Sequence, residues 1–274
     1  MKLSNAAFNH QSMSFRGAAQ VGAAAQVGAA QVGAAKAAGQ GAGAGMGQAC
    51  ADALAGPVTT DACGLFLSEV SYVAAAARDN PTGTAEYLLG DARREPAGLR
   101  NRVDLLITSP PYPNRMSYIR ELRPYMYWLG FLSTGREAGD LDWSAIGGTW
   151  GVATSRLADW SPCEEFACAG LEGTLKKIRR AHEKSGNLLA NYVHRYFEDM
   201  FVHLRSMLPL LKTGAGVHYV IGNSIFYGHL VAAEEYLARQ MAALGLREVR
   251  VDPLRKRNSK KGLIEFRVSA VRAV

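Results

Sequence analysis

Val103-Asp104-Leu105-Leu106-Ile107-Thr108-Ser109-Pro110-Pro111-Tyr112 decides how the rest of this chain is read. Val103 to Ile107 reads as a short buried strand with one acid in it. Pro110 and Pro111 then fix φ and offer no N–H donors, so the carbonyls of Ser109 and Pro110 sit in a stiff, extended loop. Tyr112 adds a flat ring and a hydroxyl. A strand that ends in a rigid loop of acceptors beside an aromatic plate is suited to gripping a planar amine. In an open α/β sheet, ligands collect at the carboxyl ends of the strands, where this loop falls.

Upstream, Glu86–Leu89 reads as a short strand ending at the turn Gly90-Asp91-Ala92-Arg93. A helix is expected from Asp61 to about Ala77, with Leu65, Phe66, Val70 and Val73 on one face. Residues 1–60 read differently. AAQVG recurs at Ala18–Gly22, Ala24–Gly28 and Ala29–Gly33, and Ala, Gly, Gln and Val fill most of Gly17–Gly47. So little bulky apolar surface does not offset the entropy of ordering, and the segment is expected to be disordered. Gly41–Gly47 follows no buried strand, which argues against a nucleotide-binding loop there. No apolar stretch follows Lys2, so no typical signal peptide is expected.

Downstream, Ile119–Leu132 carries Leu122, Met126, Leu129 and Phe131 at helical spacing. Ser133 to about Trp160, rich in Gly and Trp, reads as an irregular part of an insertion at about 133–187. Leu171–Arg180 is a basic helix, and Leu188–Leu211 reads as one long helix. Gly216–Ile221 is the next strand, ended by Gly222-Asn223-Ser224. A helix over His229–Leu244, a strand over Arg247–Val251, a basic loop over Arg255–Lys261 and a half-buried or edge strand over Glu265–Arg272 complete the chain.

The 274 residues carry a net charge of +7. From Arg247 onward there are nine Lys or Arg against three acids, so +6 of it lies in the last 28 residues. That asymmetry points to a polyanion, with a solvated basic tail as the plain alternative. No run approaches the ~20 apolar residues of a membrane helix. None of Cys50, Cys63, Cys163 and Cys168 forms a Cys-x-x-Cys pair, which fits reduced thiols in a cytoplasm. Pro162-Cys163 lacks the preceding strand that a nucleophilic Pro-Cys motif requires, and His194 and His203, nine apart, do not make a metal site.

Ser-Pro-Pro-Tyr after an apolar strand resembles the catalytic motif of S-adenosylmethionine-dependent amino-methyltransferases of DNA. The longer string Thr108–Glu121, TSPPYPNRMSYIRE, is similar to the site-specific bacterial enzymes of the cytosine-N4 type. The resemblance covers about Glu86–Val274. It implies an α/β, Rossmann-like sheet with helices on both faces over residues 61–274, lacking its first βα unit.

The resemblance also assigns roles. Ser109 and the Pro110 carbonyl, with Pro111 stiffening the loop, accept hydrogen bonds from the exocyclic amine, and Tyr112 stacks on a flipped base. Gly90 and Asp91 hold the adenine of S-adenosylmethionine, while Asn223 and Ser224 line the base pocket. Arg115, Tyr118, Arg255, Lys256, Arg257, Lys260 and Lys261 are candidates for contacts to double-stranded DNA, with solvated surface the alternative for each. The family's Phe-x-Gly-x-Gly loop is missing. The expectation is therefore methylation of cytosine N4, then adenine N6. Alternatives are a truncated DNA-binding remnant, a subunit dependent on a chain that supplies the loop, or a methyltransferase of RNA or protein glutamine. A cognate restriction endonuclease is a further expected partner.

Overall fold

In the computed structural model, residues 6–8, 13–15, 61–79, 83–113, 117–148, 152–166, 168–257 and 262–273 are described. Most of the low-complexity segment, together with Arg115, Lys260 and Lys261, lies outside them. The chain divides into two compact units, Met1–Glu86 and Tyr87–Val274. In the first, β1 (Ala6–Phe8) and β2 (Met13–Phe15) pair antiparallel. Helix α1 (Ala62–Ala76) starts at Asp61, whose carboxylate accepts the Cys63 N–H at 3.0 Å, an N-cap that satisfies one of the free donors of the first turn.

The second unit is built on a sheet of β3 (Val103–Thr108), β4 (Leu211–Gly222), β7 (Leu246–Lys256) and β8 (Ile264–Arg272), in the order β3-β4-β8-β7. β3 and β4 are parallel, and β8 runs antiparallel to both β4 and β7. β7 therefore runs with β3 and β4, and the last strand of the chain is an interior strand rather than an edge. This is the α/β, Rossmann-like arrangement that the resemblance implies. A short hairpin, β5 (Ser224–Phe226) with β6 (His229–Val231), leaves the carboxyl end of β4.

The helices are α2 (Tyr118–Trp128), α3 (Gly135–Ser144), α4 (Val152–Ala158), α5 (Leu171–Ala181), α6 (Gly186–Met207) and α7 (Ala233–Ala243). Val193, Phe197 and Met200 of α6, Leu237 and Met241 of α7, and Leu175 and Ile178 of α5 are wholly buried. They meet Val217, Tyr219 and Ile221 of β4 and Val268 of β8, the alternate residues that share one face of the sheet. Each such side chain stabilises the fold by about 1.5–3 kcal/mol.

Several expectations change. The strand expected at Glu86–Leu89 does not form: these residues are irregular and exposed, and β3 pairs only with β4 among the described residues. β3 is accordingly an open edge, not a buried strand, with Leu105 53% and Ile107 68% exposed. The segment after Ser133 is not irregular, since α3 and α4 fill it. The long helix stops at Met207, before Pro209, and β4 starts at Leu211 instead of Gly216. The first residues of the helix expected at His229 form β6.

Candidate active site

The parallel pairing of β3 and β4 brings their carboxyl ends to one edge, with Thr108 beside Tyr219. Ser109 follows there. Its hydroxyl donates to the Val220 carbonyl at 3.1 Å, which turns the oxygen's lone pairs away from β4. Pro110 and Pro113 are buried and Pro111 is half-buried, so the loop is packed as well as conformationally stiff. Tyr196, buried on α6, donates its hydroxyl to the Pro111 carbonyl at 2.7 Å. Burial lifts the Tyr196 phenol well above its ordinary range, so it remains a donor.

Tyr112 is anchored at its far end. Its hydroxyl donates to Glu265 Oε1 at 2.5 Å, while Arg255 Nε donates to Glu265 Oε2 at 2.5 Å. Arg255 first, then the Tyr112 hydroxyl, hold the Glu265 carboxyl below its usual range. Desolvation, then the bond to Glu265, raise the Tyr112 phenol. The Arg257 guanidinium lies 4.7 Å from the ring centroid and donates through Nη1 to the Asn223 carbonyl at 3.0 Å. Gly222 makes this approach possible: a Cβ there would lie 2.5 Å from Arg257 Nη1 and 2.9 Å from Tyr112 Cδ2.

Expected site residues divide accordingly. Ser109, Pro110, Pro111 and Tyr112 share one loop at the sheet's carboxyl edge. Asn223 serves the fold, because its amide donates to the Gly262 carbonyl and accepts from the Ile264 N–H. Ser224 is buried, and its hydroxyl has no hydrogen-bond partner among the described residues. Arg255 and Arg257, expected at phosphates, are engaged by Glu265, Tyr112 and Asn223. Lys256 and Tyr118 are exposed. Glu265, Tyr196 and the ring contact of Arg257 are site features that the sequence reading passed over.

Asp91 is already engaged within the chain. Both of its carboxylate oxygens accept from Arg93, whose hydrogen bond holds the Asp91 carboxyl below its usual range. Arg93 also donates to Asp199 at 2.7 Å and to the Ser144 carbonyl at 2.5 Å. Asp91, Arg93, Arg94, Trp160, Arg195 and Asp199 line a cavity of about 340 Å³, together with Glu198 and Val202. On these lining residues Glu198 Oε2 and Asp199 Oδ2 are buried without hydrogen-bond partners among the described residues, Asp199 Oδ2 lying 3.7 Å from Arg195 Nη2 in an ion pair. Burial raises the Asp199 carboxyl despite Arg195 and Arg93. The unsatisfied acceptors among these lining residues thus sit on α6, not on Asp91.

Cys163 is exposed, and its hydrogen bond with Glu198 pushes the thiol up, away from a nucleophilic thiolate. Both nitrogens of the buried His203 are engaged, with the Ala92 carbonyl and the Tyr219 hydroxyl, each at 2.7 Å. Among the described residues there is no cluster suited to a metal ion and no helix long and apolar enough to cross a membrane.

Among solved structures, the chain is similar to two crystal structures of a Thermus thermophilus protein, TTHA0409, described as a "putative DNA modification methylase". One of them is the selenomethionine derivative. The identities are 13% and 14%, with TM-scores of 0.33 and 0.34. Each match covers 68% of this chain, against 51% and 53% of those chains, so this chain spans about half their length. No family model and no curated protein matches it.

Proposed function

We propose that this chain methylates an exocyclic amine of a base in double-stranded DNA, cytosine N4 first and adenine N6 next, with S-adenosylmethionine as donor. The observation that carries this reading is the Ser109 hydroxyl. It donates to the Val220 carbonyl beside Tyr112 and the residue is exposed, so its oxygen can also serve as an acceptor for an amine N–H. An exocyclic amine is a weak nucleophile because its lone pair is conjugated with the ring. Hydrogen bonds from its two N–H groups to Ser109 Oγ and the Pro110 carbonyl favour a tetrahedral nitrogen with a free pair. With a sulfonium donor bound, that pair would take the methyl, the sulfur would keep the electrons of the broken S–C bond, and the amine's surplus proton would pass to solvent water at the exposed Ser109 loop. Tyr112, held by Glu265, offers a stacking face for the flipped base opposite Arg257.

The cavity beside Asp91 fits a zwitterionic, adenine-bearing donor. Asp199 and Glu198 are carboxyl-bearing residues of the lining for its ammonium, Arg94 is a cation for its carboxylate, and Trp160 is a flat surface for its ring. When bound, the donor supplies an electrophilic methyl on a sulfonium. Ser109→Ala should lower methyl transfer by about 10²-fold or more, with donor binding unchanged in calorimetry. Wild-type turnover in that variant would remove Ser109 from the chemistry.

A second reading is favoured by one observation. Among the described residues no strand leads directly into Gly90, where Asp91 is already engaged by Arg93. On this reading the donor site is completed by another chain. It predicts that the purified chain binds S-adenosylmethionine only with that partner, whereas the first predicts binding by the chain alone. A cognate restriction endonuclease, the cytoplasmic setting and the exposed cation Lys256 as a phosphate contact belong to the same proposal.

A further inference from the structure

The β5–β6 hairpin has an unusual apex. Phe226 pairs with His229, so Tyr227 and Gly228 form a two-residue turn with φ of +49° and +81°. Such turns strongly prefer Asn-Gly, because both central residues need the left-handed region. A bulky aromatic residue there is strained, and strain of this kind gathers where a side chain has a task. The Tyr227 ring is held in place from one side. His182 stacks on it at 5.1 Å between centroids and 10° between planes, and Ser185 Oγ bonds both the Tyr227 hydroxyl and His182 Nδ1. Tyr227 is nevertheless 40% exposed, between Ile225 and Leu230, which are exposed as well.

His182 directly follows α5. That helix buries Leu171, Leu175 and Ile178 and turns Lys176, Lys177 and Arg180 to solvent, with the exposed Lys184 beyond its end. None of these four cations forms an ion pair among the described residues, whereas Arg179 is paired with Glu172. The hairpin leaves the carboxyl end of β4, the same sheet edge from which Ser109–Tyr112 leaves β3. Unpaired cations beside a presented aromatic ring are the two elements of a nucleic-acid surface, one for phosphates and one for a base.

We propose that α5, Lys184 and the Tyr227 apex form a second contact surface for duplex DNA. Phosphates lie along Lys176, Lys177 and Arg180, and the free face of Tyr227 packs on a base beside the target. The inference rests on the proposed function only for its choice of DNA as the polyanion.

The test is fluorescence anisotropy with a labelled DNA duplex across about 50–200 mM salt, using the full chain. Lys176→Ala/Lys177→Ala/Arg180→Ala should weaken binding and reduce the slope of log K against log salt by about 2–3. Tyr227→Asn creates the favoured Asn-Gly turn, so its unfolding midpoint should hold or rise while DNA affinity falls about tenfold or more. Wild-type affinity and slope in both variants would overturn the proposal. So would binding of phosphatidylserine vesicles, but not of DNA, through the same lysines. Lys212→Ala, at the opposite end of β4 and paired with Asp104, should bind the duplex like the wild type. Loss of binding only in the α5 and Tyr227 variants therefore supports this surface even if no methyl transfer is ever measured. Intact binding in those variants, with methyl transfer present, removes the surface alone.

Discussion

The Tyr112 hydroxyl donates to the Glu265 carboxylate at 2.5 Å, joining the loop after β3 to the start of β8 across 153 positions of chain. The bond fixes the plane of the ring that a flipped base would meet. Glu265→Leu and Tyr112→Phe should each lower kcat/KM for DNA methylation by about tenfold, measured by methyl incorporation. Both changes break this bond, and Glu265→Leu frees Arg255 as well, so the double variant should be little worse than Glu265→Leu alone. Additive losses would mean that Glu265 acts elsewhere.

Glu265 also responds to pH. Its folded-state pKa is depressed, so the stabilisation it contributes is present above the unfolded value of about 4.3 and is lost as pH falls through the folded value. Unfolding midpoints of wild type and Glu265→Gln should therefore differ at neutral pH and converge towards pH 3. A constant gap would exclude this linkage.

Tyr196 supports the same loop from behind. Tyr196→Phe removes the donor to the Pro111 carbonyl from a fully buried position. The cost should be about 1–2 kcal/mol, read as about 2–4 °C of unfolding midpoint for each kcal/mol. Methylation should fall by more than the loss of folded protein accounts for, because the prolines then lose their register against β4.

The proline loop was legible because its chemistry is local: two adjacent prolines dictate a conformation whatever surrounds them. Its supports were not. Glu265 opens an alternating strand, where a charge reads as surface, and only the β7–β8 register places Arg255 opposite it. Tyr196 sat within an apolar helical face like any core aromatic. Glu86–Leu89 has an apolar pattern, but a strand needs a partner, and local pattern cannot supply one.

α3 was missed for a different reason. Its Trp and Gly content outweighed a local signal, Thr134-Gly-Arg-Glu137, which is a capping-box pattern. Thr134 Oγ accepts the Glu137 N–H at 3.2 Å, and Glu137 accepts the Ser133 N–H at 2.8 Å. Thr134→Ala should cost about 1 kcal/mol in denaturant unfolding, and Thr134→Ser should restore most of it.

His203 makes the unit sensitive to mild acid. Burial holds its imidazole below the usual value of about 6.5, and burial does the same to His194. The Ala92 carbonyl requires a proton on His203 Nδ1, so Nε2 accepts from the Tyr219 hydroxyl. A second proton on Nε2 would break that bond inside the core. Below pH 6.5 the unfolded chain binds protons that the folded one refuses. Stability is therefore complete above about 6.5 and falls as pH drops towards the folded values, by at most about 1.4 kcal/mol per pH unit for each histidine. His203→Gln keeps a donor and an acceptor but does not titrate. Its unfolding free energy should be lower at pH 7.5, yet fall less steeply between pH 6.5 and 5, with His194 left to give the remaining slope. Equal slopes in the two proteins would place the acid sensitivity outside His203.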